Sequence, residues 1–293
     1  MNGERRRLLD RPILLAIPIL IGLFFTRSPF FMSIVAPTAS KPWADTPVKL
    51  VTTPQYETKK TDIFTTGATH MALLHNSIFR GYNSIYQQAP NVKDVDKADF
   101  IGYSLTWHKF VKSHHDDEEV SLFPKVEDVL DDKTIWAETH KEHEAFLGGL
   151  TEFEKYLTAV SKSPLDFSGT ELRRIMASFQ EPFETHFHNE IATIANLSSH
   201  PKAPKAGTPE EATASQTFKT WGKSTVTKAG TLDVVPFFLL NLDGTTEDGM
   251  WANWPPIPPP IKWGLVNIGG AYHNRWWKFS SCAGGKPKQL YAV

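Results

Sequence analysis

Apolar positions recur at helical spacing through the middle of the chain. Between residues 62 and 88, Ile63, Ala68, Met71, Leu74, Ile78, Tyr82 and Ile85 fall on one face of a helix. Ala89-Pro90 ends that stretch, because proline has no N–H to continue the ladder. A second helix is predicted over 97–129, with Pro124 near its end as the expected kink or break. The third spans 134–162 and stops before Pro164, and the fourth spans 169–197 with an internal kink expected at Pro182. Ser198, Ser199 and Pro201 close it. Four helices of roughly 25 to 30 residues joined by short polar loops predict an all-α, up-down-up-down four-helix bundle over 62–200.

The flanks follow other patterns. Arg5, Arg6, Arg7 and Arg11 precede an apolar run over 12–25, and after Thr26-Arg27 a second apolar patch covers 29–36. The first run alone is short for a spanning helix and suits a signal peptide; the whole stretch is long enough to cross if Arg27 reaches an interface. The basic flank, with no clean small-x-small cleavage site, favours an uncleaved signal anchor over 1–36 and a single-pass membrane location. A cleaved signal peptide on a secreted or lumenal protein is the alternative. Residues 37–61, rich in Pro, Thr and Lys, are expected to form a linker. Residues 201–293 are expected to be an irregular, Trp/Pro-rich extension packing on the bundle, with a short helix inside 209–228, an apolar run over 234–242 and a polyproline-like segment from Trp251 to Pro260. Six of the nine tryptophans fall in this extension, and they are read as cover for bundle surface in preference to a partner-binding or membrane-interface patch.

Composition narrows the chemistry. The chain has 293 residues, 41% of them hydrophobic, enough for one sizeable domain with extensions. Its 31 basic and 32 acidic residues give a net charge of -1, so no nucleic-acid partner is expected. A single cysteine, Cys282, excludes an internal disulfide framework and a cysteine-based metal site. Any metal must therefore be held by nitrogen and oxygen.

Ten of the eleven histidines lie between residues 70 and 200, which concentrates the candidate chemistry in the bundle. In the run His114-His115-Asp116-Asp117-Glu118-Glu119, helical geometry puts His114 with Glu118, and His115 with Glu119, on shared faces. A solvated acidic helix face would explain that run by itself. The other helices change the balance: the first offers His75, or His70 on a different face, the third offers His140 and His143, and the fourth repeats the spacing with His186 and Glu190. A lone histidine on an apolar face is more often a satisfied core residue than a ligand. So many ionisable groups in one bundle interior are costly unless paired or bound to a metal. Imidazole with carboxylate suits iron, manganese or zinc, and paired His-x-x-x-Glu spacings suit a dinuclear centre, with a single-metal site as the simpler alternative. His115, Glu119, His108, Tyr82 and Tyr103 are candidates for holding the ligands from behind.

Four stretches, in order, resemble the hemerythrin-like (HHE cation-binding) family in its fungal form. They are His75-Asn76 with Arg80-Gly81-Tyr82-Asn83; His114 with Glu118-Glu119 and Leu122-Phe123-Pro124; Glu142-His143-Glu144-Ala145-Phe146; and His186-Phe187-His188-Asn189-Glu190-Ile191. The resemblance covers about residues 62–200. It implies a four-helix bundle holding a carboxylate-bridged di-iron centre that binds dioxygen, nitric oxide or a related small molecule. The ligands it implies are His75, His114, Glu118, His143, His186 and Glu190, with the two glutamates as candidate bridges. Family members commonly carry a second histidine four residues after the third-helix one, and here that position is Leu147. His140 is the candidate replacement; with none, the iron keeps an open position, which favours oxygen or substrate activation over reversible carriage. Three functions are therefore weighed: dioxygen or nitric oxide binding, a di-iron oxidoreductase such as an oxygenase on a small organic substrate, and a non-catalytic iron-binding or tethered interaction protein.

Overall fold

The computed structural model describes residues 43–293, so the anchor expected over 1–36 lies outside the described residues. A short helix α1 (Pro54–Thr58), capped by Thr53, precedes the first long helix, α2 (Ile63–Gln88). Asp62 starts α2 by accepting the N–H groups of Phe64 and Thr65 at 3.1 and 2.9 Å, which would otherwise lack acceptors. Helix α3 (Lys97–Asp117) continues through a π-helical turn (Glu118–Leu122) into α4 (Phe123–Leu130). The break expected at Pro124 is thus taken up just ahead of it. Pro124 has no N–H and its ring crowds the carbonyl one turn back, so Phe123 N–H closes instead on the Glu118 carbonyl five residues away. Helices α5 (Ala137–Val160) and α6 (Gly169–Asn196) complete the set, and α6 runs through Pro182 as one helix.

The long helices pack in a ring, α2 on α3 and α6, and α5 on α3 and α6. Their interior has two apolar cores. The larger is aromatic, with Phe79, Tyr82, Trp107, Phe146, Phe153, Phe179 and Phe183 among its fully buried members. The smaller gathers Phe64, Met71, Leu122, Phe123, Trp136 and Ile194. The cores meet at a single depth on each helix, around Leu74 on α2, after Val111 on α3, before Phe146 on α5 and between Phe187 and Ile191 on α6. At that depth the interior is polar.

Two stretches differ from their sequence reading. Residues 43–61, part of the expected linker, form a strap along α2. Asn83 accepts the Val48 N–H at 2.9 Å and donates to the Ala44 and Val48 carbonyls at 3.0 and 2.9 Å, and Asn76 brackets Val51 in the same way. The side-chain amides present the donors and acceptors a neighbouring strand would supply. The extension is also more regular than expected, with α7 (Pro209–Ala229) of 21 residues, α8 (Val234–Leu240), α9 (Pro259–Asn267) and a two-stranded pair β1 (Cys282–Ala283) and β2 (Lys286–Pro287). Thr208 caps α7, Pro209 opens it, and Glu210 and Glu211 face its positive end. Phe237, Phe238 and Phe279 of the extension enter the larger core. A Cβ at Gly81 would stand 2.7 Å from both Phe237 and Trp107, so glycine there lets α8 approach α2. No helix among the described residues is long and apolar enough to cross a membrane.

Candidate metal centre

The polar layer between the two cores is made by residues from four helices. His75 comes from α2, His114 from α3, Glu118 from the π turn, His143 from α5, and His186 and Glu190 from α6. None is more than 3% exposed. The π turn bears on this directly, since it begins at Glu118 and keeps His114 and Glu118 together while the helix resets for Pro124. Ligand atoms of His75, His114, Glu118 and Glu190 lie within 4.8 Å of one another, a group that can hold a metal ion. His75 Nε2 is 3.0 Å from His114 Nε2 and 3.4 Å from Glu190 Oε2, and His114 Nε2 is 2.9 Å from Glu118 Oε1. Beside this group, the rings of His143 and His186 lie 4.3 Å apart between centroids.

Second contacts fix the tautomers. His75 Nδ1 lies 3.1 Å from the Phe187 carbonyl, which only accepts, so Nδ1 carries the proton and Nε2 turns a lone pair inward. His143 repeats the device, with Nδ1 donating to Glu119 at 2.6 Å and Nε2 buried without a partner. His186 Nδ1 stands 3.4 Å from Glu142 without completing a hydrogen bond. Both oxygens of Glu190, Oε1 of Glu118 and Nδ1 of His114 also lack hydrogen-bond partners. Buried polar atoms are nearly always satisfied, so the orphaned carboxyl oxygens of Glu118 and Glu190 and Nε2 of His143 form a set that a cation would complete.

Burial dominates the titration of the layer. It pushes His114 down to about 4 and His75 and His186 well below the usual histidine value, with neighbouring imidazoles adding to the fall for the latter two. His143 is lowered by burial against the opposing pull of Glu119. Glu118 and Glu190 are raised well above the carboxylate range, again by burial, with the Glu118 charge adding to the rise at Glu190. Burial thus favours the uncharged form of every member, a neutral imidazole or a protonated carboxyl. A divalent ion reverses the carboxyl preference, because its charge stabilises the ionised form.

Comparison with known proteins agrees with the geometry. The model of the hemerythrin HHE cation-binding domain matches residues 66–197, which contain every member of the layer. The chain is 32% identical over 264 residues to the "Dimeric xanthone biosynthesis cluster protein R11" of Cryptosporiopsis sp. (strain 8999), covering 86% of this chain and 94% of that relative. The chain belongs to the hemerythrin HHE cation-binding family. That family implies a bound metal, typically iron, and the orphaned donor set fits one. No solved structure matches.

The remaining histidines take other places. His140, the expected replacement for the family histidine missing at Leu147, is half-exposed and lies 3.0 Å from Glu119. It sits nearly one turn from His143 on the side of the smaller core, with its ring against Phe123, whereas Leu147 lies one turn the other way against the larger core. His188 bonds the Lys49 carbonyl at 3.0 Å, His70 faces Trp254, and neither joins the layer. Glu119 stands behind His143 as the sequence allowed, and His115 lies against the same ring. Two groups gave no sequence signal: the Phe187 carbonyl, since any residue supplies one, and Glu142. The latter accepts from Asn189 at 2.6 Å and faces His186, a pairing between α5 and α6 that no spacing along one helix reveals.

Proposed function

We propose that this protein is a non-haem di-iron protein that binds dioxygen, or nitric oxide, within an up-down-up-down four-helix bundle. The observation that carries the reading is the buried layer of inward lone pairs, contributed by four helices and lacking protein partners. In it, His75, His114, Glu118 and Glu190 would hold the metal together with His143 and His186, the two glutamates being the candidates to share it between two irons. Bound iron supplies a redox-active Lewis acid open to a small ligand. The protein's own contribution is to orient His75 through the Phe187 carbonyl and His143 through Glu119, to place the Glu142 carboxylate beside His186, and to keep bulk water out.

Aromatic walls favour a small ligand over a bulky one. Phe187 lies 4.4 Å from the His75 ring and Phe146 lies 5.3 Å from His186, centroid to centroid. Two surface cavities, of about 290 and 530 Å³, are lined by residues outside the layer. A second reading, an oxidoreductase acting on a small organic substrate, is supported by the relative whose printed name places it in a biosynthesis cluster. The apolar run and basic flank support the further reading of residues 1–36 as a membrane anchor, which sedimentation of the full chain with membranes after alkaline washing tests.

The deciding experiment is iron content with optical spectra of the reduced protein before and after dioxygen. About two irons per chain and a reversible ligand-dependent spectrum are expected. Rapid irreversible oxidation of the centre would favour the oxidoreductase, and a folded chain that takes up no iron would refute both readings.

A further inference from the structure

His143 faces two ways. Its Nε2 looks into the buried layer, while its Nδ1 meets Glu119 on the outer side. More donors gather on that side. Ligand atoms of His115, Glu119 and His143 lie within 4.8 Å of one another, a group separate from the inner four residues. The His115 ring stands edge-on to His143 with centroids 4.1 Å apart, and its Nδ1 is buried without a partner. His140 places another nitrogen 3.0 Å from Glu119 Oε1. Two N–H donors account for Glu119, but nothing among the described residues accounts for His115 Nδ1. Access differs too: His140 and Glu119 are 48% and 29% exposed, whereas the inner layer is sealed. Donors thus run without a gap from solvent to the interior.

We propose that His115, Glu119 and the Nδ1 side of His143, with His140 at the solvent edge, form an outer site for a divalent first-row transition-metal ion and the route by which it reaches the buried layer. Imidazoles with one carboxylate are a suitable donor set for such ions. The proposal rests on the reading of the inner layer as a metal centre. An ion taking the Nδ1 lone pair of His143 requires the ring's other neutral tautomer, so the proton now donated to Glu119 is given up at Nδ1 and one is held at Nε2 instead. When the ion moves inward the exchange reverses: Nε2 gives up its proton, and Nδ1 regains one with its bond to Glu119. Neutral His143 cannot serve both sides at once, so inner and outer occupancy oppose each other.

The full chain tests this with Co²⁺, whose visible absorption reports its ligands. A His75→Ala, Glu118→Gln, Glu190→Gln variant, weakened inside, is expected to retain about one Co²⁺ per chain. Adding His115→Ala and His140→Ala should weaken that binding by roughly tenfold or more. In the otherwise native chain, His115→Ala with His140→Ala should slow Fe²⁺ loading by about tenfold while leaving the final iron content unchanged. Circular dichroism checks folding, and the His115→Gln, His140→Gln pair replaces any alanine variant that fails to fold. Equal Co²⁺ affinity with and without the outer histidines, or equal loading rates, would overturn the proposal. Failure of the inner reading looks different: the native chain would take up no Fe²⁺, while the inner-weakened variant still bound Co²⁺ through His115 and His140.

Discussion

Two of the buried polar clusters among the described residues are built on opposite terms. One joins the extension to the bundle around Asn241. Its Oδ1 accepts from Tyr103, from the Ser281 N–H and from the Ser281 hydroxyl at 3.1, 3.0 and 2.9 Å, and its Nδ2 donates to the Phe237 carbonyl. Close by, Gln88 donates to the Phe279 carbonyl and accepts the N–H groups of Tyr291 and Ala292. The other cluster is the His75, His114, Glu118 and Glu190 layer, whose inward atoms largely have no partner. Equal burial therefore marks a structural joint in one place and a ligand site in the other. What separates them is whether the lone pairs are already spoken for.

Substitutions that remove the polar groups should have opposite signs in the two clusters. The largest effect is expected from Glu118→Met with Glu190→Met, which should lower metal affinity well beyond the 10–100-fold typical of a group one shell out. The same variant, stripped of metal, should be more stable than the native chain by about 1–4 kcal/mol, because two buried carboxyls with incomplete hydrogen bonding are replaced by apolar groups of similar length. Metal analysis and chemical denaturation of both chelated proteins check this; a destabilised metal-free variant would mean the carboxyls have structural partners after all. Asn241→Ala should do the reverse, costing about 2–3 kcal/mol by leaving Tyr103 and Ser281 without an acceptor, with metal content unchanged.

Smaller effects sharpen the contrast. Glu142→Ala frees the His186 ring and should weaken metal binding about tenfold with little change in stability of the metal-free chain. Acid should act on the metal layer and spare the amide joint. Glu118 and Glu190 hold protons well above the usual carboxyl range, and a cation must displace them, so affinity falls as pH falls through those raised values and continues to fall as His114, near 4, takes a proton. Calorimetric titration in buffers of different ionisation enthalpy should show net proton release on binding; proton uptake would contradict the sign. Least of all, Gly148→Ala on an open face of α5 should stabilise the chain by about 0.5–1 kcal/mol and leave the metal untouched.

Much of this was legible in the sequence because helices project periodic patterns. The His-x-x-x-Glu spacings at His114 and at His186 survive folding as shared faces, since one turn separates their members whatever the helix packs against. The end of α5 follows from Pro164, a local signal in the sequence. Residues 43–61 escaped the reading because a strap held by Asn76 and Asn83 looks in sequence like any polar, Pro-rich connection. The place of His140 escaped the reading for a related reason. Spacing put it on the stripe of His143 but could not say that nearly a turn separates it from the buried depth, on the side of Glu119 and solvent.

By itself, then, the sequence determined which side chains could share a helix face and that nitrogen and oxygen must do any metal binding, because both follow from covalent order and helical pitch. Only the tertiary structure decided which faces meet at one depth, which imidazole N–H groups find acceptors in the Phe187 carbonyl and Glu119, and which lone pairs are left facing inward. Those are contacts between helices, and no period along a single helix encodes them.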